Sequence, residues 1–381
     1  MFTSLQKSTL VALFFATTAS AQIAFSSIES FGEALFFDTN LSANRTQSCA
    51  TCHDPANGFV DARAAMPGNA FSLGDDGHSF GDRNAPTAAY AMFSPPFGQT
   101  DEGYYIGGQF LDGREADLEG QAGGPPLNPI EMGMPDKASI VARLTENPDY
   151  VVTMQALFGA EMLAQPEAAY AAMAASIAAF ERTDEFAPFD SKYDRYLSGD
   201  YTLTNEEELG RLLFFSEQFT NCNQCHQLHS SQLAAQETFT DYRYYNIGVP
   251  SNVAGREING VDVATVDHGL LGNPAVNNPA EDGKFRTPTL RNIAVTGPYM
   301  HNGVFTDLRT VILFYNKYNS RSEARQINPE TGATWAAPEV PATVELDILN
   351  DGPALEDQRI DAIVAFLKTL TDARYEDLIV P

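Results

Sequence analysis

Four cysteines, spent on two copies of one short motif, constrain this chain more than any other feature. They fall as Cys49-Ala50-Thr51-Cys52-His53 and Cys222-Asn223-Gln224-Cys225-His226, and no cysteine lies outside these runs. CxxCH is the attachment signature of c-type haem. Two thiols three positions apart reach the two vinyl groups of one porphyrin, and the adjacent histidine comes up beneath the iron. A single CxxCH can also belong to a zinc or redox site. Two copies that exhaust the cysteines point instead to two covalent haems, one on Cys49, Cys52 and His53 and one on Cys222, Cys225 and His226.

The start of the chain reads as a secretory signal over 1–21. Lys7 precedes a short apolar run, Thr9 to Ala16, and Ala19-Ser20-Ala21 fits a small-residue cleavage site. That run is too short to span a bilayer, and no later stretch approaches the ~18 apolar residues a membrane helix needs. A soluble, exported, periplasmic product with no membrane span is expected. The 50 acidic residues against 23 basic ones give a net charge of -27, or -28 once the signal and its one lysine are gone. Such a surface repels nucleic acid and anionic lipid and favours a basic or neutral partner, although solubility alone also accounts for it.

The two motifs sit in an internal repeat. Phe31-Gly32-Glu33-Ala34-Leu35-Phe36-Phe37 precedes the first and Leu209-Gly210-Arg211-Leu212-Leu213-Phe214-Phe215 the second, as duplication of one haem-binding unit would produce. Thr204-Asn205-Glu206-Glu207 matches a capping box at the start of the second copy. Ala168 to Arg182 is Ala-rich and helical, and Ile360, Ile363, Val364, Leu367 and Leu370 mark a last amphipathic helix that closes a domain. Asn57–Pro135 and Gly248–Gly303 are irregular and rich in Gly, Pro, Asp and Asn. Long loops of that kind are unusual unless they build a site, and a porphyrin supplies the core they wrap. The expected fold is mainly α, with two cytochrome c-type domains and little strand: 22–190, a linker over 191–203, and 204–381.

Further runs carry a resemblance to a known family. They are Gly81-Asp82-Arg83-Asn84-Ala85-Pro86-Thr87, Asp112-Gly113-Arg114, Gln121 through Met132, Phe285 through Asn292, and Gly297-Pro298-Tyr299-Met300-His301-Asn302-Gly303. In this order they resemble the bacterial di-haem cytochrome c peroxidases, and among them the MauG-like branch. The resemblance makes the N-terminal haem the peroxidatic one and puts its distal pocket on Gln121, Pro125 and Glu131. Splitting a peroxide O–O bond needs a group that takes a proton from one oxygen and returns it to the other, which a carboxylate can do. Gln121 would orient the peroxide, and Pro125, with no ligating side chain, would help leave the iron's sixth position open. Without the motif, Glu131 would read as a solvated loop acid. His78, six residues before Asn84, lies near the place where switchable family members carry a removable iron ligand; a solvent-facing loop histidine is the other reading.

For the second haem, the resemblance looks about fourteen residues beyond His301 for an axial ligand and finds Tyr315, where electron-storing peroxidases have methionine and MauG-like proteins tyrosine. Methionine favours ferrous iron, whereas an anionic phenolate favours the oxidised state. A core tyrosine is the plain alternative, and Met300 is the competing ligand. Leu111 stands where the family usually has a tryptophan between its haems. Leucine cannot be oxidised, so hopping through that position is excluded. Trp335 is not expected to act as a relay, and His229 and His268 are expected to be ordinary polar residues. The family also binds one calcium ion, which the resemblance assigns to Asn84, Thr296 and Pro298; calcium accepts carbonyl and amide oxygens readily.

Three functions are weighed. The first, and the one expected, is peroxide reduction at the N-terminal haem, with electrons from a small cytochrome c or copper protein passed through the C-terminal haem. The second is MauG-like oxidation of side chains on a partner protein, and the third a plain electron carrier. The carrier has no use for the Gln121/Glu131 pocket and ranks last.

Overall fold

A computed structural model describes residues 24–65, 70–229, 231 and 233–380. The signal segment expected over 1–21 lies outside them. The described chain is mainly helical. Its strands pair as two short antiparallel ribbons, β1 (Gly98–Gln99) with β2 (Tyr105–Ile106) and β3 (Tyr244–Tyr245) with β4 (Phe285–Arg286). The register sets Gln99 opposite Tyr105 and Tyr245 opposite Phe285. Among the described residues no helix is long and apolar enough to cross a membrane.

The repeat seen in the sequence is a repeat of packing. Helix Ile28–Phe36 starts at a Ser27 capping box and lies against the Ala-rich helix Pro166–Glu181. Helix Asn205–Phe214 starts at the expected Thr204–Glu207 capping box and lies against helix Asp357–Lys368 in the same way. Each crossing is made at a glycine. A Cβ on Gly32 would stand 1.8 Å from the Ser176 carbonyl oxygen, and one on Gly210 would stand 1.8 Å from that of Ala362. Beside each glycine the same ring pair closes the contact, Phe36 with Phe180 and Phe214 with Phe366, both with centroids 5.5 Å apart. Gly32→Ala and Gly210→Ala should therefore each destabilise the haem-loaded protein by about 1–3 kcal/mol, the usual cost of overpacking. The check is a lower denaturant midpoint at unchanged slope; midpoints equal to the parent's would contradict the close crossing.

Two apolar cores follow from these crossings. One gathers Phe31, Leu35, Phe36, Met173 and Ile177, and the other Leu213, Phe214, Ile360, Ile363, Phe366, Leu367 and Leu370. The stretch 191–203, expected as a linker, contains helix Lys192–Ser198 and contributes buried Tyr193 to the second core. Asp194 on this helix receives the wholly buried Arg291 at 2.5 and 2.9 Å. Across the two halves, buried Tyr90 donates to Asp372 at 2.5 Å, and Asn292 donates to the other oxygen of the same carboxylate at 2.8 Å. Trp335 is partly buried against the second core, on Phe305 and Phe314, with Nε1 donating to the Arg325 carbonyl.

Candidate active site

A cavity of about 700 Å³ runs between the two cores, and both CxxCH motifs line it. The histidines are prepared identically. His53 Nδ1 lies 3.2 Å from the Phe59 carbonyl oxygen and His226 Nδ1 lies 2.9 Å from that of Phe239. With Nδ1–H donating to a carbonyl, the Nε2 lone pair of each ring is left for a metal, the usual arrangement behind an iron-ligating imidazole. Burial holds both rings neutral, lowering the pKa of His53 and pushing that of His226 down to about 4. The two accepting residues are buried phenylalanines in left-handed backbone, with φ of 57° at Phe59 and 54° at Phe239. A bulky side chain adopts that conformation only where its surroundings enforce it. Neither was predicted, although both belong to the structural repeat.

The cavity fits a porphyrin pair in its polar chemistry as well. Four of its buried polar atoms, Ser72 Oγ, Glu181 Oε2, Tyr242 Oη and His301 Nε2, accept or donate no hydrogen bond at normal distance among the described residues. Orphans of that kind call for a polar group within the cavity.

Gln121, Pro125 and Glu131 all line this cavity, as do Cys49, Cys52 and His53 of the first motif. Gln121 rides on helix Leu118–Ala122, capped by the Asp117 side chain on the Gly120 amide. Pro125 opens a tight turn whose carbonyl accepts from the Asn128 and Met132 amides, and the Glu131 carbonyl accepts from the Asp75 amide at 2.7 Å. The Glu131 carboxyl is half-buried, and its pKa is raised by burial against the opposing pull of Arg114 and Asn128. His78 lies elsewhere: it is 79% exposed, turned onto Asp76, and does not line the cavity.

Around the second motif, Tyr315 comes from helix Leu308–Asn319 into the cavity, within electrostatic reach of Cys222 and Cys225. Its hydroxyl has no hydrogen-bond partner among the described residues. Burial, then the two thiols, push its pKa well up. Met300 lines the same cavity from its loop. Asn84, Thr296 and Pro298 also meet there, with Asn84 Nδ2 donating to the Pro298 carbonyl at 2.6 Å. His229 and His268 sit on the surface, paired with Glu237 and Asp282.

Between the motifs, Arg83 bonds Asp112 at 2.6 Å and Asp267 at 2.6 and 2.7 Å, so the Gly81–Thr87 and Asp112–Arg114 runs are two sides of one ion cluster. Burial works against the charge on Asp267, but the Arg83 bonds hold its pKa down to about 2. Buried His301 stacks on Phe285 at 3.7 Å beside this cluster. Leu111 lines the cavity here, its carbonyl accepting from the Arg286 amide. Two further carboxyls were not anticipated. Glu181 ends the Ala-rich helix wholly buried, and its pKa is pushed up to about 8 by burial; Asp241 is buried behind Cys225. The signal for Glu181 was one acid on an otherwise apolar helix face.

Residues 26–202 match the family described as di-haem cytochrome c peroxidase. Over 363 residues the chain is 52% identical to the methylamine utilization protein MauG of Paracoccus denitrificans (strain Pd 1222), covering 95% of this chain and 93% of that one. It is 31% identical to the cytochrome-c peroxidase IdrP1 of Denitromonas iodatirespirans, over 75% of this chain and 71% of that protein. The crystal structure of the diheme peroxidase BthA from Burkholderia thailandensis E264 superposes with a TM-score of 0.79 at 31% identity, over 93% and 88% of the two chains. The chain therefore belongs to the di-haem cytochrome c peroxidase family, with two haems as its cofactors and two cytochrome c-type domains as its fold. Within that family it is an oxidoreductase of the MauG-like branch.

Proposed function

We propose that this protein reduces hydrogen peroxide at its N-terminal haem and draws the electrons, through the C-terminal haem, from side chains of a partner protein. The observation that carries this reading is Tyr315: a phenol with no hydrogen-bond partner among the described residues, in the cavity beside Cys222 and Cys225. As its phenolate it would hold the second haem together with His226, favouring the oxidised state. The haems, when bound, supply the redox chemistry. Glu131 holds and returns the proton, Gln121 orients the peroxide, and Pro125 keeps a ligand away from that face. His78 would need its loop to turn inward before it could cap the iron. The runner-up, electron delivery by a small cytochrome c or copper protein, remains compatible with the same Glu131 pocket.

On this reading, fully oxidised protein should react with peroxide at once, in a stopped-flow experiment with no reductant. A reaction seen only after one-electron reduction would favour the runner-up. The acidic surface suits a basic or neutral partner. The product would act in the periplasm.

The calcium assignment belongs to the same proposal. Turning the Asn84 amide over would aim Oδ1, in place of Nδ2, toward the Pro298 carbonyl, giving two oxygens to a cation, with Thr296 the third expected donor. The donors named are neutral oxygens, which calcium accepts readily, with water completing its shell. Chelation should slow the peroxide reaction or the exchange between haems and release neither haem. Calcium-free protein that is indifferent to chelators would remove Asn84, Thr296 and Pro298 as ligands.

A further inference from the structure

Five tyrosines line the cavity among the described residues, and their hydroxyls have different fates. Those of Tyr242 and Tyr315 make no hydrogen bond to a carboxylate, and Tyr299 donates to the Ile293 carbonyl. Only Tyr90 and Tyr245 donate to carboxylates, Asp372 and Asp241. The distinction matters because oxidising a phenol releases its proton. A buried phenol can lose an electron only if a base within hydrogen-bond distance takes the proton, which a backbone carbonyl cannot do and a carboxylate can.

Tyr245 combines that pairing with a position at the C-terminal haem motif and a path outward. Its hydroxyl is 2.7 Å from Asp241 Oδ2, and it reaches Cys225. Asp241 is held from behind by its own amide on the Cys225 carbonyl at 2.9 Å, and its other oxygen accepts the Arg243 amide at 3.0 Å. Outward, Ile106 bridges Arg243 in antiparallel pairing, which brings the segment carrying Tyr104 beside the one carrying Tyr245. The Arg243 guanidinium lies 4.4 Å over the Tyr104 ring, and that tyrosine is 53% exposed. Tyr90 has no such outlet, since its ring neighbours are Phe93, Phe189 and the buried Arg291.

We propose that Tyr245 and Asp241 form a proton-coupled redox site that carries oxidising equivalents from the C-terminal haem pocket to Tyr104 at the surface. The inference rests on the peroxide reading above, which names the oxidant. The Tyr245 O–H bond breaks, its proton goes to Asp241 Oδ2, and its electron reduces the oxidised haem centre by one equivalent. Tyr104 then gives an electron to the Tyr245 radical and loses its own proton to water, while Asp241 returns the stored proton to Tyr245. One electron has left Tyr104, one equivalent has left the haem centre, and Tyr245 is unchanged. With Leu111 offering no oxidisable ring between the haems, this is the route by which equivalents that find no partner protein leave the molecule.

The test treats the fully oxidised, haem-loaded protein with stoichiometric hydrogen peroxide and no partner. Three signals are read: the decay of the optical change, a tyrosyl signal in freeze-quenched electron paramagnetic resonance, and oxygen addition at Tyr104 by peptide mass spectrometry. Tyr245→Phe should lengthen the decay severalfold and abolish the Tyr104 modification. Asp241→Asn should do the same, because the amide accepts a hydrogen bond but not the proton. Tyr104→Phe, a surface change that spares folding, should leave the radical on Tyr245. An optical change that forms normally in all three variants and decays at the parental rate, with Tyr104 still oxidised in Tyr245→Phe, would overturn this inference alone. No optical change in the parent would overturn the peroxide reading and this inference with it.

Discussion

Glu131→Gln is expected to slow the reaction with peroxide by roughly 100-fold or more, the scale of a lost proton shuttle, while leaving both haem spectra as in the parent. The glutamine keeps the side chain's size and one accepting oxygen, so the turn from Pro125 to Met134 has no reason to change. What is lost is the site that takes the proton. The pH dependence sharpens this expectation. Glu131 must be ionised to accept a proton, and burial raises its pKa, so the parental rate should fall as pH drops through that raised value. The limb should be absent in Glu131→Gln. Arg114 opposes the burial effect, so Arg114→Gln should move the limb to higher pH. A variant at position 131 that reacts as fast as the parent would show that another group does the acid–base work.

A second large effect is expected at Tyr315. Replacing a phenolate ligand by a thioether stabilises ferrous iron, and axial-ligand changes move haem potentials over a wide range. Tyr315→Met should raise the potential of the C-terminal haem by on the order of 0.1 V or more if the sulfur reaches the iron. Mild reductants that leave the parent ferric should then reduce it. Prior reduction, of no help to the parent, should become useful to the variant. An unchanged potential, with the methionine variant holding both haems, would mean that residue 315 is not a ligand.

Much of this architecture was legible from local pattern. The CxxCH runs, the Thr204 capping box and the Phe31/Leu209 repeat are contiguous signals, and each has a counterpart in the structure. The repeat carried more than was read from it, because Gly32 and Gly210 turned out to be where its helices cross. Helix Lys192–Ser198 had its own signal, the Ser191 capping box with Asp194, inside a stretch read as linker. The ion cluster could not be read in advance. Arg83, Asp112, Asp267 and His301 come from four loops without periodicity, and they meet only because the chain folds around one cavity. Asp241 and Tyr245 are four residues apart, but their pairing at 2.7 Å follows from loop geometry that no propensity encodes. Tyr315 is singled out only by the family resemblance, which counts from His301; helical spacing alone makes it one more core tyrosine.

The most direct test of the account is the absorption spectrum of the fully oxidised protein, compared with Tyr315→Phe and Met300→Leu. If the Tyr315 phenolate holds the second iron, the parent lacks the red charge-transfer band of sulfur-ligated ferric haem, Tyr315→Phe changes the spectrum, and Met300→Leu does not. A sulfur band in the parent that Met300→Leu abolishes and Tyr315→Phe leaves intact would contradict the account and return the chain to the electron-storing peroxidases.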